Sequence, residues 1–126
     1  LQVHQVPAGG HIGYSATYRA AKPRTIATVA AGYADGVFRH ASATHDAPGG
    51  AVAIRGQRAS VVGRVSMDLI TVDVTDIEGP ALQPGEWADL VGPDLSLEDV
   101  GAAAGTIGYE VLTRLGRRFH RVYRDA

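Results

Sequence analysis

The stretch AVAIRGQRASVVGRVSMDLITVDVT (residues 51–75) constrains this chain more than any other. DLITVDVT (68–75) alternates strictly: Leu69, Thr71 and Asp73 fall on one face of an extended strand, and Ile70, Val72 and Val74 on the other. Such a period of two suits a strand with one face in a core. Just before it, two short apolar runs turn back on each other at Gly56-Gln57, a hairpin signal. Three short strands, the first two joined as a hairpin, therefore occupy the middle of the sequence.

The flanks extend it. LQVHQV alternates and stops at a Pro-Ala-Gly-Gly turn, TIATVAAGYA (25–34) is apolar and rich in β-branched residues, and HDAPGG (45–50) breaks the chain. WADLVG and the tail RFHRVYR read as further short strands. Only residues 96–115 argue for helix. Ser96 with Asp99 resembles a capping box, Leu97, Val100 and Ala104 share a helical face, Gly105 ends that helix, and a second short one runs through IGYEVLTRL. Many short strands with turns every 8–12 residues indicate a closed or sandwiched β domain with a late helical insert.

At 126 residues the chain is one domain, able to bury roughly two-thirds of its unfolded surface. A net charge of −1 gives no electrostatic case for nucleic acid or a membrane surface, and no apolar run approaches the length of a spanning helix. The absence of cysteine excludes disulfides and thiolate metal sites and fits a cytoplasmic location. The chain opens on LQVHQV without an initiating Met, which reads as part of a longer or processed product. Eleven of the twelve basic residues are arginine, and Arg114, Arg117, Arg118, Arg121 and Arg124 crowd the C-terminal end.

Phosphate-binding glycine loops and nucleophile elbows are missing, and the five histidines do not fall at metal-ligand spacing, so no metal site is expected. Three of the five tyrosines follow a glycine: Tyr14, Tyr33 and Tyr109. A tyrosine at a strand end is ordinarily a core aromatic with a tethered hydroxyl. Residue by residue, the chain reads as a mostly β domain and no further.

The order of the motifs goes further. IGYSATY (12–18), GYADG (32–36), VVGRVSMD (61–68) and TIGYEVLTRL (106–115) together resemble the C-terminal domain of alanine racemase, from about residue 6 to residue 123. The resemblance implies that residues 1–126 form a small Greek-key-like β-barrel with one short helical insert. It also implies an N-terminal (β/α)₈ barrel carrying pyridoxal phosphate on a lysine. No such barrel fits within this chain. Lys22, its only lysine, precedes Pro23 in an extended or turn dipeptide, not a buried cofactor site.

By the same resemblance, Tyr14 is the acid/base serving one face of the substrate Cα, and the cofactor lysine serves the other. Tyr33 narrows the substrate entrance, with Asp35 fixing its turn. The Met67 backbone N–H meets the substrate carboxylate, Asp68 braces that loop, and Tyr109 hydrogen-bonds the cofactor phosphate. The substrate is alanine, D-alanine serves the cell wall, and the enzyme is a head-to-tail homodimer whose sites join one subunit's barrel to the other's β domain. Ser15, Leu69 and His120 depart from the family pattern; none is itself an assigned residue, and Leu69 bears on how the carboxylate loop is supported. Two other classes stay in view: the β domain of a related pyridoxal-phosphate decarboxylase, and a non-catalytic interaction module.

Overall fold

The structure, a computed structural model, describes residues 2–12, 18–19, 22–43 and 49–124. Five strands form one antiparallel sheet in the order β1-β4-β7-β6-β5: β1 is Gln2–Val6, β4 Arg24–Val29, β5 Ala51–Ile54, β6 Gln57–Val62 and β7 Ile70–Asp73. A second, two-stranded sheet pairs β2 (His11–Ile12) with β3 (Tyr18–Arg19), Ile12 opposite Tyr18. Among the described residues the large sheet is open, with β1 and β5 as its edges, so closure into a barrel is not seen.

The alternation in DLITVDVT explains why β7 lies at the centre. Ile70, Val72 and Val74 are buried, and they pack with Ala27 and Val29 of β4, Ala59 and Val61 of β6 and Val52 and Ile54 of β5. Pairing places Val72 opposite both Ala27 and Val61, so small and branched side chains interleave across three strands. Ile26 and Val62 are buried as well and cluster separately with Val6. Consecutive buried residues on β4 and β6 mean that both faces of the sheet are covered there.

The hairpin turns one residue earlier than the sequence suggests. Its two-residue loop is Arg55-Gly56, both left-handed at φ 53° and 72°, and Gln57 already belongs to β6. A two-residue loop with both positions left-handed matches the twist of the flanking strands. Arginine is an unusual first residue for such a turn, and so the glycine alone stood out in the sequence.

The helical excursion is two helices, α1 (Leu97–Ala103) and α2 (Gly108–Arg114). Ser96 caps α1 through its hydroxyl, which accepts the Asp99 N–H at 3.1 Å, while the Asp99 carboxylate turns instead to Arg58 at 2.6 Å. Two expected strands do not form. WADLVG contributes only isolated bridges: Asp89 and Ala53 exchange N–H···O bonds of 2.7 and 2.9 Å along the outer edge of β5, and Gly92 pairs with Leu95 just beyond. The tail 117–124 pairs with neither sheet edge and is irregular, and Arg118 there is drawn to carboxylates rather than to a strand partner. Among the described residues no helix is long and apolar enough to cross a membrane.

Candidate functional site

Antiparallel pairing of β4 with β7 sets Val29 opposite Ile70, so the segment leaving β4 and the segment entering β7 emerge at the same end of the sheet. These are GYADG and SMD. The first forms a 3₁₀ turn at Tyr33–Asp35, and the second is closed by Ser66, whose hydroxyl donates to the Leu69 carbonyl at 2.8 Å. Two backbone bonds of 3.0 Å tie them together: the Tyr33 N–H donates to the Ser66 carbonyl, and the Ala34 N–H to the Met67 carbonyl. Gly32 allows this approach. A Cβ there would stand 2.3 Å from both carbonyl oxygens.

That pairing also orients what remains free. In a trans peptide the C=O and N–H point in opposite directions. With the Ser66 and Met67 carbonyls both turned toward the Gly32 turn, the N–H groups of Met67 and Asp68 face away from it. Among the described residues neither donates to an acceptor.

Charge completes the assembly. Asp35 is buried, and one of its oxygens accepts the Gly32 N–H at 3.0 Å. Arg118 donates to both of its oxygens, from Nε at 2.7 Å and Nη2 at 2.8 Å, and sends Nη1 to Asp68 Oδ1 at 2.7 Å. The end of α2 delivers this arginine, since the Gly116 N–H donates to the Asp35 carbonyl at 2.9 Å. The Arg118 hydrogen bonds hold the Asp35 carboxyl below its usual range, against the opposing effect of burial and with help from the Gly32 N–H. Asp35 first, then Asp68, push the Arg118 guanidinium pKa up in return.

An open pocket of about 370 Å³ results, lined by Tyr33, Arg39, Met67, Asp68 and neighbours, with Arg39 lying over the Tyr33 ring at 6.0 Å from its centroid. A more apolar cavity of about 180 Å³ lies between the sheet and the helix pair, among Val52, Val61, Val100 and Val111. Converging polar groups mark the first as the candidate site.

The expected site residues divide three ways. Tyr33, Met67 and Asp68 come together around the pocket, and Asp35 fixes the turn beneath Tyr33. Tyr109 stands apart on the first turn of α2, 78% exposed and outside the pocket lining. Tyr14 lies outside the described residues, although the strands flanking it pair. Lys22 is exposed. Sequence reasoning missed Arg118 and Arg39. The arginine-rich tail was the available signal for Arg118, but its partners lie 83 and 50 residues away.

The fold and this loop pair define a β domain that offers a polar pocket at one end of its central sheet. A family model described as alanine racemase, C-terminal domain, matches residues 1–123. The chain belongs to that family. It is 47% identical over 125 residues to the alanine racemase of Methylobacterium sp. (strain 4-46), covering 99% of this chain and 33% of that one. It is 44% identical to the catabolic alanine racemase of Agrobacterium fabrum, covering 98% and 30%. Among solved structures, the alanine racemase of Bartonella henselae with covalently bound pyridoxal phosphate superimposes with a TM-score of 0.88 at 40% identity, over 98% of this chain and 33% of that chain. The biosynthetic alanine racemase of Pseudomonas aeruginosa gives 0.87 at 40% identity, with the same coverage. The chain thus spans about a third of the length of the curated relatives it matches.

Proposed function

We propose that this chain is the part of a pyridoxal-phosphate alanine racemase that completes the active site of a partner subunit in a homodimer, supplying D-alanine for the cell wall. What carries the proposal is the loop pair: in a chain of this family, Tyr33, Met67 and Asp68 surround one pocket at one end of the sheet. Neither a decarboxylase nor a non-catalytic module is favoured by any feature of the site.

The residues present fit a contact to the cofactor, not its anchorage. Lys22 is exposed beside Pro23, whereas a lysine that carries the cofactor must be held in a shaped pocket. Tyr109, exposed on α2, is free to donate its phenol hydroxyl to a phosphate oxygen. When bound by a barrel domain, pyridoxal phosphate delocalises the electron pair left behind as the Cα proton departs.

Racemisation needs a proton removed from one face of Cα and another delivered to the opposite face. Tyr14 is assigned to one face. A phenol with a pKa near ~10 is a weak base at neutral pH, so cations from the partner's barrel must favour the phenolate. The Met67 N–H, turned away from the Gly32 turn, donates to the substrate carboxylate and fixes which face Tyr14 meets. Tyr33 narrows the entrance, stiffened by Arg39 over its ring. Asp68 braces the carboxylate loop through Arg118.

The test is Tyr14→Phe in an enzyme carrying this domain behind a cofactor-bearing barrel. Racemisation should fall by about 10²–10⁴-fold, the contribution of a positioned acid–base group. Near-normal turnover would remove Tyr14 from the mechanism. The chain by itself should neither racemise alanine nor retain pyridoxal phosphate through gel filtration, and retention abolished by Lys22→Ala would contradict the assignment.

A further inference from the structure

We propose that Arg118 is a positioning residue for the pocket: one guanidinium clasps two loops and so holds the Met67 N–H and the Tyr33 ring in fixed relation. The inference rests on the racemase reading for the identity of the substrate, an α-amino carboxylate, but not for the clasp itself.

Three donors of Arg118 reach two carboxylates on two loops. Nε and Nη2 take Asp35, in the GYADG turn; Nη1 takes Asp68, directly after Met67. The loops also touch through the Tyr33–Ser66 and Ala34–Met67 backbone bonds, which run through the same two peptide units whose N–H groups face away. Pulling Asp68 toward Arg118 therefore fixes the plane of the Met67–Asp68 peptide, and its neighbour with it. Asp35 makes the anchor firm. Its side chain is only 5% exposed, and its other oxygen contact is the Gly32 N–H at the start of the turn that carries Tyr33. A planar fork can make this three-way contact, whereas a lysine ammonium presents one point charge.

The experiment pairs Arg118→Lys with Asp68→Asn, the second removing only the outer arm and leaving Asp35 paired. On this chain, hydrogen exchange reads the Tyr33 and Ala34 amides; in the barrel-bearing enzyme, steady-state kinetics read alanine turnover. Arg118→Lys should speed exchange at both amides about tenfold and raise KM about tenfold, with kcat changed less than about threefold. Asp68→Asn should move exchange and KM in the same direction by about threefold, so the test survives if Arg118→Lys fails to fold. Unchanged exchange and KM in a folded variant would overturn the proposal, and so would a fall in kcat at constant KM. Faster exchange with an unchanged KM would overturn the positioning role while leaving the racemase reading intact. If the enzyme with Arg118 intact racemises nothing, the racemase reading fails and the positioning role goes with it, though the exchange result would still report the clasp.

Discussion

Arg118 and Arg55 each tie separate loops together, at opposite ends of β6. Arg55 grips Glu86 from Nε and Nη2 at 2.9 and 2.7 Å and the Pro80 carbonyl from Nη1 at 2.7 Å. Arg118 uses the same three donors at nearly the same distances. The acceptors differ. The Asp35 side chain is 5% exposed, that of Glu86 28%. Shut away from water, the Asp35 carboxylate keeps only the Gly32 N–H when its arginine goes, whereas Glu86 can exchange Arg55 for solvent. Guanidinium geometry alone does not say what an ion pair is worth; the burial of its partner does. One arginine secures a turn, the other the frame of a site.

The comparison is broken most severely at Gly32. In Gly32→Ala the new Cβ meets two backbone oxygens at 2.3 Å, so the loops must part. A loss of about 3 kcal/mol or more is expected by urea unfolding, with rapid exchange at Tyr33 and Ala34. A loss below about 1 kcal/mol would mean that the two loops are not tied as described.

Asp35→Asn comes next. It leaves Arg118 with a neutral partner and one acceptor for the Gly32 N–H, and should cost about 1–3 kcal/mol in the same measurement. Acidity sharpens this. The Arg118 hydrogen bonds depress the Asp35 pKa from its usual value of 3.8, so the stabilisation is fully present above that value and is lost as pH falls through the lower folded-state value. The stability gap between the native chain and Asp35→Asn should stay constant from neutral pH to about pH 4 and close below it. A gap already closing near pH ~6 would point to another group.

Glu86→Gln is the mildest change. With Arg55 able to hydrate, the thermal midpoint should move by no more than about 2 °C. A shift as large as that of Asp35→Asn would erase the distinction between the two clasps.

Much of the sheet was legible because its signals are local. Alternation in residues 68–75 needs only its own side chains to declare a face, and Ser96 caps a helix three residues on. The hairpin was legible but displaced by one, since Arg55 takes a left-handed conformation that glycine normally advertises. The tail misled because strand-prone residues do not by themselves choose a partner: it joins neither edge of the sheet, and Arg118 is held by Asp35 and Asp68 instead. For the site, motif order brought Tyr33, Met67, Asp68 and Asp35 into view, and the structure gathers them at one end of the sheet. Arg118 and Arg39 were not legible. Their importance lies in contacts made by folding, a buried carboxylate far back in the chain for one and an aromatic face for the other.

Solvent deuterium incorporation tests the central claim, that Tyr14 serves one face of Cα, most directly. In a racemase carrying this domain, label should enter both enantiomers of alanine during turnover. With Tyr14→Phe only the hydroxyl is lost. Exchange on the tyrosine's face should then fall steeply while exchange on the opposite face persists, so that incorporation becomes unequal between L- and D-alanine. Equal incorporation with near-normal turnover in both directions would contradict the account.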